Sequence, residues 1–261
     1  MRGHEVNEGF LVSGMLIPLV IPADIPLWMV AVATAFAVIF GKEVFGGTGM
    51  NIWNPALIAR AFLFFAYPSK ISGDTVWYSN CVDGFTGPTA LSLAGTGDYT
   101  TYSIMDCIIG NIPGSIGETS VIAIGLGAIL LLVTGIASWK TMFSVIAGGA
   151  IMGWVFNNFG SADNAMAILP WYQHLIIGGF AFGAVFMATD PVTSPRTECA
   201  KYIYGFLIGA MAIIIRVLNP GYPEGMMLAI LLMNTLAPLF DYFVIQKNIS
   251  KRKNRVKTAK A

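Results

Sequence analysis

Charge is what this chain lacks most. Only 11% of its 261 residues are Asp, Glu, Lys or Arg, against about a quarter in soluble domains. The net charge of +1 leaves no field to hold nucleic acid, so no nucleic-acid partner is expected. Three cysteines, Cys81, Cys107 and Cys199, form neither a CxxC pair nor a cluster with histidine at zinc or iron–sulfur spacing, and no metal site is expected. GxSxG, HExxH, P-loop and dinucleotide fingerprints are all missing, which removes the common hydrolase and nucleotide-enzyme classes. Gly46-Gly47-Thr48-Gly49 has no strand before it and is not read as a phosphate loop. No basic stretch followed by an apolar core opens the chain, so a signal peptide is not expected.

What is present is apolar sequence in long runs, with 56% hydrophobic residues. A soluble core of this length does not need so few charges. The pattern predicts an all-α polytopic membrane protein with about seven or eight spanning or half-spanning helices. The first block reads as a hairpin, one helix to about Ile21 and another from about Ile25 to Gly41, broken by Pro18, Pro22, Asp24 and Pro26. Asn54 before Pro55 suits a helix N-cap with proline in the first turn. The apolar segment that follows, Pro55 to Tyr67, is too short to cross a bilayer. Residues 68–118 are polar and loop-like, with Ser115 to Glu118 read as a capping box opening the next helix. Five further spans are expected near Thr119–Ser138, Thr141–Phe156, Trp171–Ala188, Tyr202–Leu218 and Glu224–Ile245.

Asp190-Pro191, after Met187-Ala188-Thr189, repeats the Asn54-Pro55 device. Two capped, proline-started segments suggest broken helices whose N-termini lie inside the membrane, as in transporters with repeated halves. Two plain helix starts at the interface are the competing reading. Residues 1–246 then form the membrane domain. Residues 247–261 form a basic tail in which Lys247, Lys251, Arg252, Lys253, Arg255, Lys257 and Lys260 have no acid among them. The positive-inside rule places that tail in the cytoplasm. Five crossings then put the polar loop around Thr89 on the opposite face. Lys140, Arg196 and Lys201 fall in loops assigned inside, and Arg216 is the exception.

Within that loop, Asp83-Gly84-Phe85-Thr86-Gly87-Pro88-Thr89 carries two glycines that permit tight turns and a proline that stiffens the residue before a hydroxyl. An ordinary surface turn is the plain alternative. Asp190 and Asp241 are carboxylates in or beside apolar runs, where ionisable groups are costly. Carboxylate with carbonyl oxygen is the ligand set of a hard cation, so this pair is read as an ion path. An N-cap or a snorkelling end residue is the alternative for each. His174 beside Trp171 and Tyr172 reads as an interface residue.

Taken together, Gly41 to Gly49, Asn54 to Leu57, Arg60 to Pro68, Asp83 to Thr89, Gly114 to Thr119, Met187 to Pro191 and Pro223 to Met227 resemble the NqrB subunits of sodium-translocating NADH:quinone oxidoreductases over essentially the whole chain. The RnfD subunits of the Rnf ferredoxin:NAD oxidoreductases are homologous to them. The resemblance implies a fold like that of urea transporters. It also implies FMN esterified through its phosphate to the last threonine of an Asp-Gly-x-Ser/Thr-Gly-Ala-Thr signature. That signature falls on Asp83, Gly84, Thr86, Gly87 and Thr89, with Pro88 where alanine is usual. A dedicated transferase would attach the flavin on the extracytoplasmic side, using FAD as donor. The resemblance further implies a bacterial inner-membrane complex with other subunits, riboflavin, quinone and Na+, in which Asp190 and Asp241 match acids of the sodium path. The NqrB proteins extend further before the segment matching Met1. Thr-Ala-Leu-Ser after the signature and the basic tail favour the quinone reductase over the Rnf complex. A cofactor-free channel of the urea-transporter type is the reading from another class.

Overall fold

The computed structural model describes residues 9–72, 77, 87–161, 163–219 and 223–260. Every regular element among them is helical. In chain order these are α1 (Gly9–Val20), α2 (Leu27–Gly41), α3 (Pro55–Ala66), α4 (Pro68–Ile71), α5 (Ala90–Thr96), α6 (Ile104–Ile109), α7 (Val121–Val133), α8 (Trp139–Phe159), α9 (Ala165–Ile168), α10 (Trp171–Ile176), α11 (Phe180–Phe182), α12 (Glu198–Leu218) and α13 (Met226–Lys260). Four helical stretches, Leu27–Phe45, Trp139–Phe159, Glu198–Leu218 and Met226–Arg255, are long and apolar enough to cross a bilayer. The helices α1, α3 and α7 are apolar but shorter. The polytopic all-α class expected from composition is what the chain adopts.

Local chemistry explains most of the boundaries. Asn54 caps α3 by accepting a hydrogen bond from the Ala56 amide at 2.9 Å, with Pro55 in the first turn. The expected capping box at Ser115 to Glu118 does not form. The hydroxyl of Ser120 caps α7 instead, accepting from Ala123 N at 3.3 Å, because Glu118 is drawn away to an arginine described below. The region expected to be loop-like, 68–118, contains the short helices α4, α5 and α6. The segment read as one span, Trp171 to Ala188, is broken. The helix α10 ends at Ile176, and α11 runs into a π-helical turn over Gly183–Met187. No helix starts at Asp190-Pro191. The Asp190 carboxylate accepts from Val192 N at 3.1 Å and from the Thr193 hydroxyl at 3.1 Å, closing a turn. Pro195 disfavours helical geometry at the residue before it, and α12 begins at Glu198.

The bundle is built on the seam between α8 and α12, the most extensive helix contact in the fold. The helices lie side by side with their starts together, joined there by Lys140, Glu198 and Lys201. A β-carbon added to Gly209 would sit 2.0 Å from the Val145 carbonyl oxygen, and one on Gly148 would sit 2.2 Å from that of Phe206. Backbone therefore meets backbone, the close approach that small residues four apart allow in membranes. Opposite this seam the outer face of α7 is bare, with Leu126, Ile129, Leu130 and Val133 exposed where lipid would lie. The helix α13 packs on α12 and continues without a break through the basic residues to Lys260.

The seam gives a first test. Gly209→Val has no room for its side chain, and overpacking of this kind costs about 1–3 kcal/mol or more. Gly125→Val on α7, where an added β-carbon meets nothing within 4 Å, serves as the control. Thermal unfolding in detergent should show a marked fall for the first and little change for the second. Equal melting would remove the seam from its central place.

Candidate functional site

The elements gather a charged cavity at the far end of α12. Arg216 lies 18 residues beyond Glu198, about 27 Å along a helix rising 1.5 Å per residue, which is close to the thickness of a bilayer core. The lysines at the start of α8 and α12 therefore mark one end of the bundle, and Arg216 marks the other. A cavity of about 860 Å³ opens there, in the size range of ligand and cofactor sites. Its walls include Arg60, Trp77, Thr89, Ser92, Arg216 and Glu224.

Thr89 reaches this wall because of how α5 begins. Its backbone is extended, and its hydroxyl accepts from the Ser92 amide at 3.1 Å, making it the N-cap of α5. The preceding carbonyl, that of Pro88, accepts from the Tyr102 hydroxyl at 3.4 Å. The helix closes at Gly97, and Asp98 N donates to Leu93 O at 3.0 Å. Beyond it, the Thr101 hydroxyl at 2.6 Å and the Thr100 amide at 2.9 Å hold Asp98. These bonds, that of Thr101 foremost, lower the Asp98 carboxyl from 3.8 to about 2. This turn is thus stabilised above the ordinary aspartate value, and the stabilisation fades as pH falls from 3.8 and is gone below about 2. Gly87 is buried beside Thr89, while Asp83, Gly84 and Thr86 lie outside the described residues.

Beside Thr89 sits a cluster that the sequence reading did not assemble. Arg60, in the middle of α3, donates to both Glu118, from the loop before α7, and Glu224, from the turn before α13. Arg60 is 5% exposed. Three segments far apart in the chain meet on one guanidinium. Charges of this kind belong in a low-dielectric interior only when each is answered. The available signal was that both glutamates adjoin glycine in an acid-poor chain, Gly117-Glu118 and Glu224-Gly225. Gly225 has φ +57, and an added β-carbon would strike the Ala212 carbonyl oxygen at 2.6 Å, so the turn that aims Glu224 needs glycine.

Arg216 is fully buried. Its Nε donates to Pro223 O at 3.2 Å, Nη1 to His174 O at 2.6 Å and Nη2 to Ile177 O at 3.3 Å. This explains the one basic residue that broke the loop-charge pattern: it is an internal group. His174, expected at an interface, is also fully buried, because the break after α10 folds this segment into the bundle.

The two aspartates read as an ion path lie away from the cavity, toward the lysine-bearing end. Asp241 of α13 accepts from Arg196 N at 2.8 Å, Thr197 N at 2.9 Å and the Thr197 hydroxyl at 2.6 Å, so it pins the two residues leading into α12 from a neighbouring helix. Asp190 acts electrostatically on buried Tyr204, which donates to Asn234 at 2.6 Å. Each carboxylate thus has a local structural role.

A membrane-embedded helical bundle with a charged internal cavity beside a capping threonine is the class of protein these features define. The chain belongs to the NQR2, RnfD, RnfE family, whose model matches residues 1–250. It is 54% identical to the B subunit of the Na(+)-translocating NADH-quinone reductase of Chromohalobacter salexigens over 258 residues, which is 97% of this chain and 62% of that protein. The protein of the same name from Pseudoalteromonas atlantica is 55% identical over 260 residues, 98% of this chain and 64% of that one. That from Pseudomonas aeruginosa strain PAO1 is 54% identical over 257 residues, 97% and 63% respectively. The chain thus spans under two thirds of the length of these relatives.

The arginine cluster makes a second prediction. Arg60→Met leaves two carboxylates facing each other with no bonded cation, and breaking a buried pair this way costs about 3–5 kcal/mol. Adding Glu118→Gln and Glu224→Gln removes the stranded charges. Thermal unfolding should fall sharply in the single variant and recover in the triple one.

Proposed function

We propose that this chain is the flavin-carrying membrane subunit of a sodium-pumping NADH:quinone oxidoreductase, with FMN joined through its phosphate to Thr89. The observation that carries the reading is the position of Thr89, a capping hydroxyl on the wall of a cavity of about 860 Å³ that also presents Trp77, Arg60 and Arg216. The residues fit the group. Trp77 offers an aromatic surface for a planar ring, and the Arg216 guanidinium, held by carbonyl oxygens, complements a phosphate. Ser92 N–H occupies one lone pair of the Thr89 oxygen and fixes its direction. Attachment forms a bond between Thr89 Oγ and the flavin-side phosphorus of FAD. The hydroxyl proton is lost, the pyrophosphate bond breaks and AMP leaves, in a reaction that a flavin transferase would catalyse.

When bound, FMN supplies the electron-transfer chemistry, relaying electrons toward riboflavin and quinone in the assembled complex with its other subunits. The protein supplies position, polarity and an ion path. The separation of the Thr89 cavity from the basic end by about one bilayer core supports an inner-membrane topology with the C-terminus cytoplasmic and the Thr89 loop extracytoplasmic. The name of these relatives, which specifies Na(+) translocation and quinone reduction, supports the ion and the acceptor. Asp190 and Asp241, with Tyr204 and Asn234 between the helices, are the groups proposed to pass Na+.

Intact mass with in-gel flavin fluorescence tests the attachment, on protein co-produced with the transferase. Wild type should gain one FMN adduct and Thr89→Ala none; an unmodified wild type would overturn the reading. For the ion path, Asp241→Asn keeps an oxygen for the residues leading into α12 while removing the charge. In the assembled complex it should weaken the sodium dependence of quinone reduction with flavin content unchanged. Unaltered sodium dependence would leave Asp241 with its structural role alone.

A further inference from the structure

Arg216 is more than a latch between segments. Three carbonyl oxygens, from His174, Ile177 and Pro223, hold its guanidinium in place, but carbonyls are neutral. Among the described residues no carboxylate is bonded to it. The carboxylate that acts on it through space is Glu224, and that group is already bonded to Arg60. A positive charge at 0% exposure is thus oriented by neutral acceptors with no carboxylate bonded to it among the described residues, behind the wall of the cavity that Thr89 also lines. Buried cations are stable when an anion answers them at close range, and a planar guanidinium matches phosphate oxygens or the polar edge of an anionic ring.

We propose that Arg216 is the anion-holding residue of the Thr89 cavity, and that the anion is a flavin nucleotide's phosphate or the ring of its reduced form. The proposal takes its ligand class from the flavin reading above, but does not need the covalent bond. Glu224 has the opposite part: its charge beside the same cavity lowers anion affinity and keeps the cavity from accepting small anions without discrimination. Arg60, shared by two carboxylates, is the fixed member of the group.

Free flavins titrated into the full-length chain in lipid nanodiscs, produced without the transferase and followed by flavin fluorescence, provide the test. FMN should bind saturably to wild type. Arg216→Gln, whose amide can still donate to the carbonyls, should bind it about tenfold more weakly, and Arg216→Lys should recover most of the loss. Glu224→Gln should bind more tightly than wild type, a change opposite in sign to that of Arg216→Gln. A loss confined to FMN and absent with riboflavin puts Arg216 on the phosphate. A loss seen with both flavins only after dithionite reduction, read from the flavin retained on washed nanodiscs after re-oxidation, puts it on the ring. Absence of saturable FMN binding by wild type would overturn the proposal, as would equal affinity in Arg216→Gln for both oxidised and reduced flavin, or failure of lysine to do better than glutamine. If Arg216→Gln does not fold, Glu224→Gln decides alone, and unchanged or weaker binding there refutes the assignment. An adduct missing from the mass experiment together with charge-dependent binding here would reject the covalent link and keep the anion site.

Discussion

A guanidinium in an apolar interior must be surrounded by oxygen, and the upper part of this bundle is arranged to meet that demand twice. Arg60 is answered by Glu118 and Glu224, and Arg216 by the carbonyls of His174, Ile177 and Pro223. Each set of acceptors comes from a place where a helix stops or breaks. Helix ends expose unpaired carbonyls and allow a side chain to be aimed inward. The breaks at Ile176, Leu218 and the turns around Glu118 and Glu224 are therefore the means by which the bundle accommodates two buried cations. Unbroken helices would leave those cations without partners.

The same constraint explains why the cavity lies where it does. Midway along the α8–α12 seam, Gly148 and Gly209 bring backbones into contact. The cavity lies beyond them, where the chain leaves α12 for the turn before α13 and Arg60 and Arg216 line the walls. Thr89 arrives at this opening on a short helix whose start and end are both fixed by local hydrogen bonds. The threonine is thus presented by a rigid turn to a charged space.

Much of this was legible in the residues. The scarcity of charge marked a membrane protein, and Asn54-Pro55 marked a capped short helix. Two things were not legible, for physical reasons. Glu118 looked like a helix cap because its sequence neighbours satisfy that pattern, and nothing local reveals that Arg60, 58 residues earlier, competes for its carboxylate. Asp190-Pro191 looked like a helix start for the same local reason, whereas Pro195 stops helical geometry from propagating. Long-range electrostatics in the first case and a downstream proline in the second overrode the nearest-neighbour signal. Glycines four apart at 205 and 209 were a visible sign of the seam, but their meaning depended on a partner helix.

The two ends of the bundle are joined by α12, and this bears on how a charge change at one could be felt at the other. Arg216 is anchored near the C-terminus of that helix, and Asp241 pins the residues leading into its N-terminus from α13. Between them lie Tyr204 and Asn234, with Asp190 acting electrostatically on Tyr204. If an anion in the cavity draws on Arg216, the carbonyls that now hold it lose part of their partner, and those carbonyls belong to the α10 break and the turn leading into α13. The same turn bears Glu224, and α13 bears Asn234 and Asp241. Charge placed beside Thr89 thus acts on the segment that positions both the buried amide and Asp241. It does so through contiguous contacts rather than across the full thickness of the membrane. A shift of α13 against α12 is the mechanical element that such coupling would require, and Asp241 is the one acid that α13 carries.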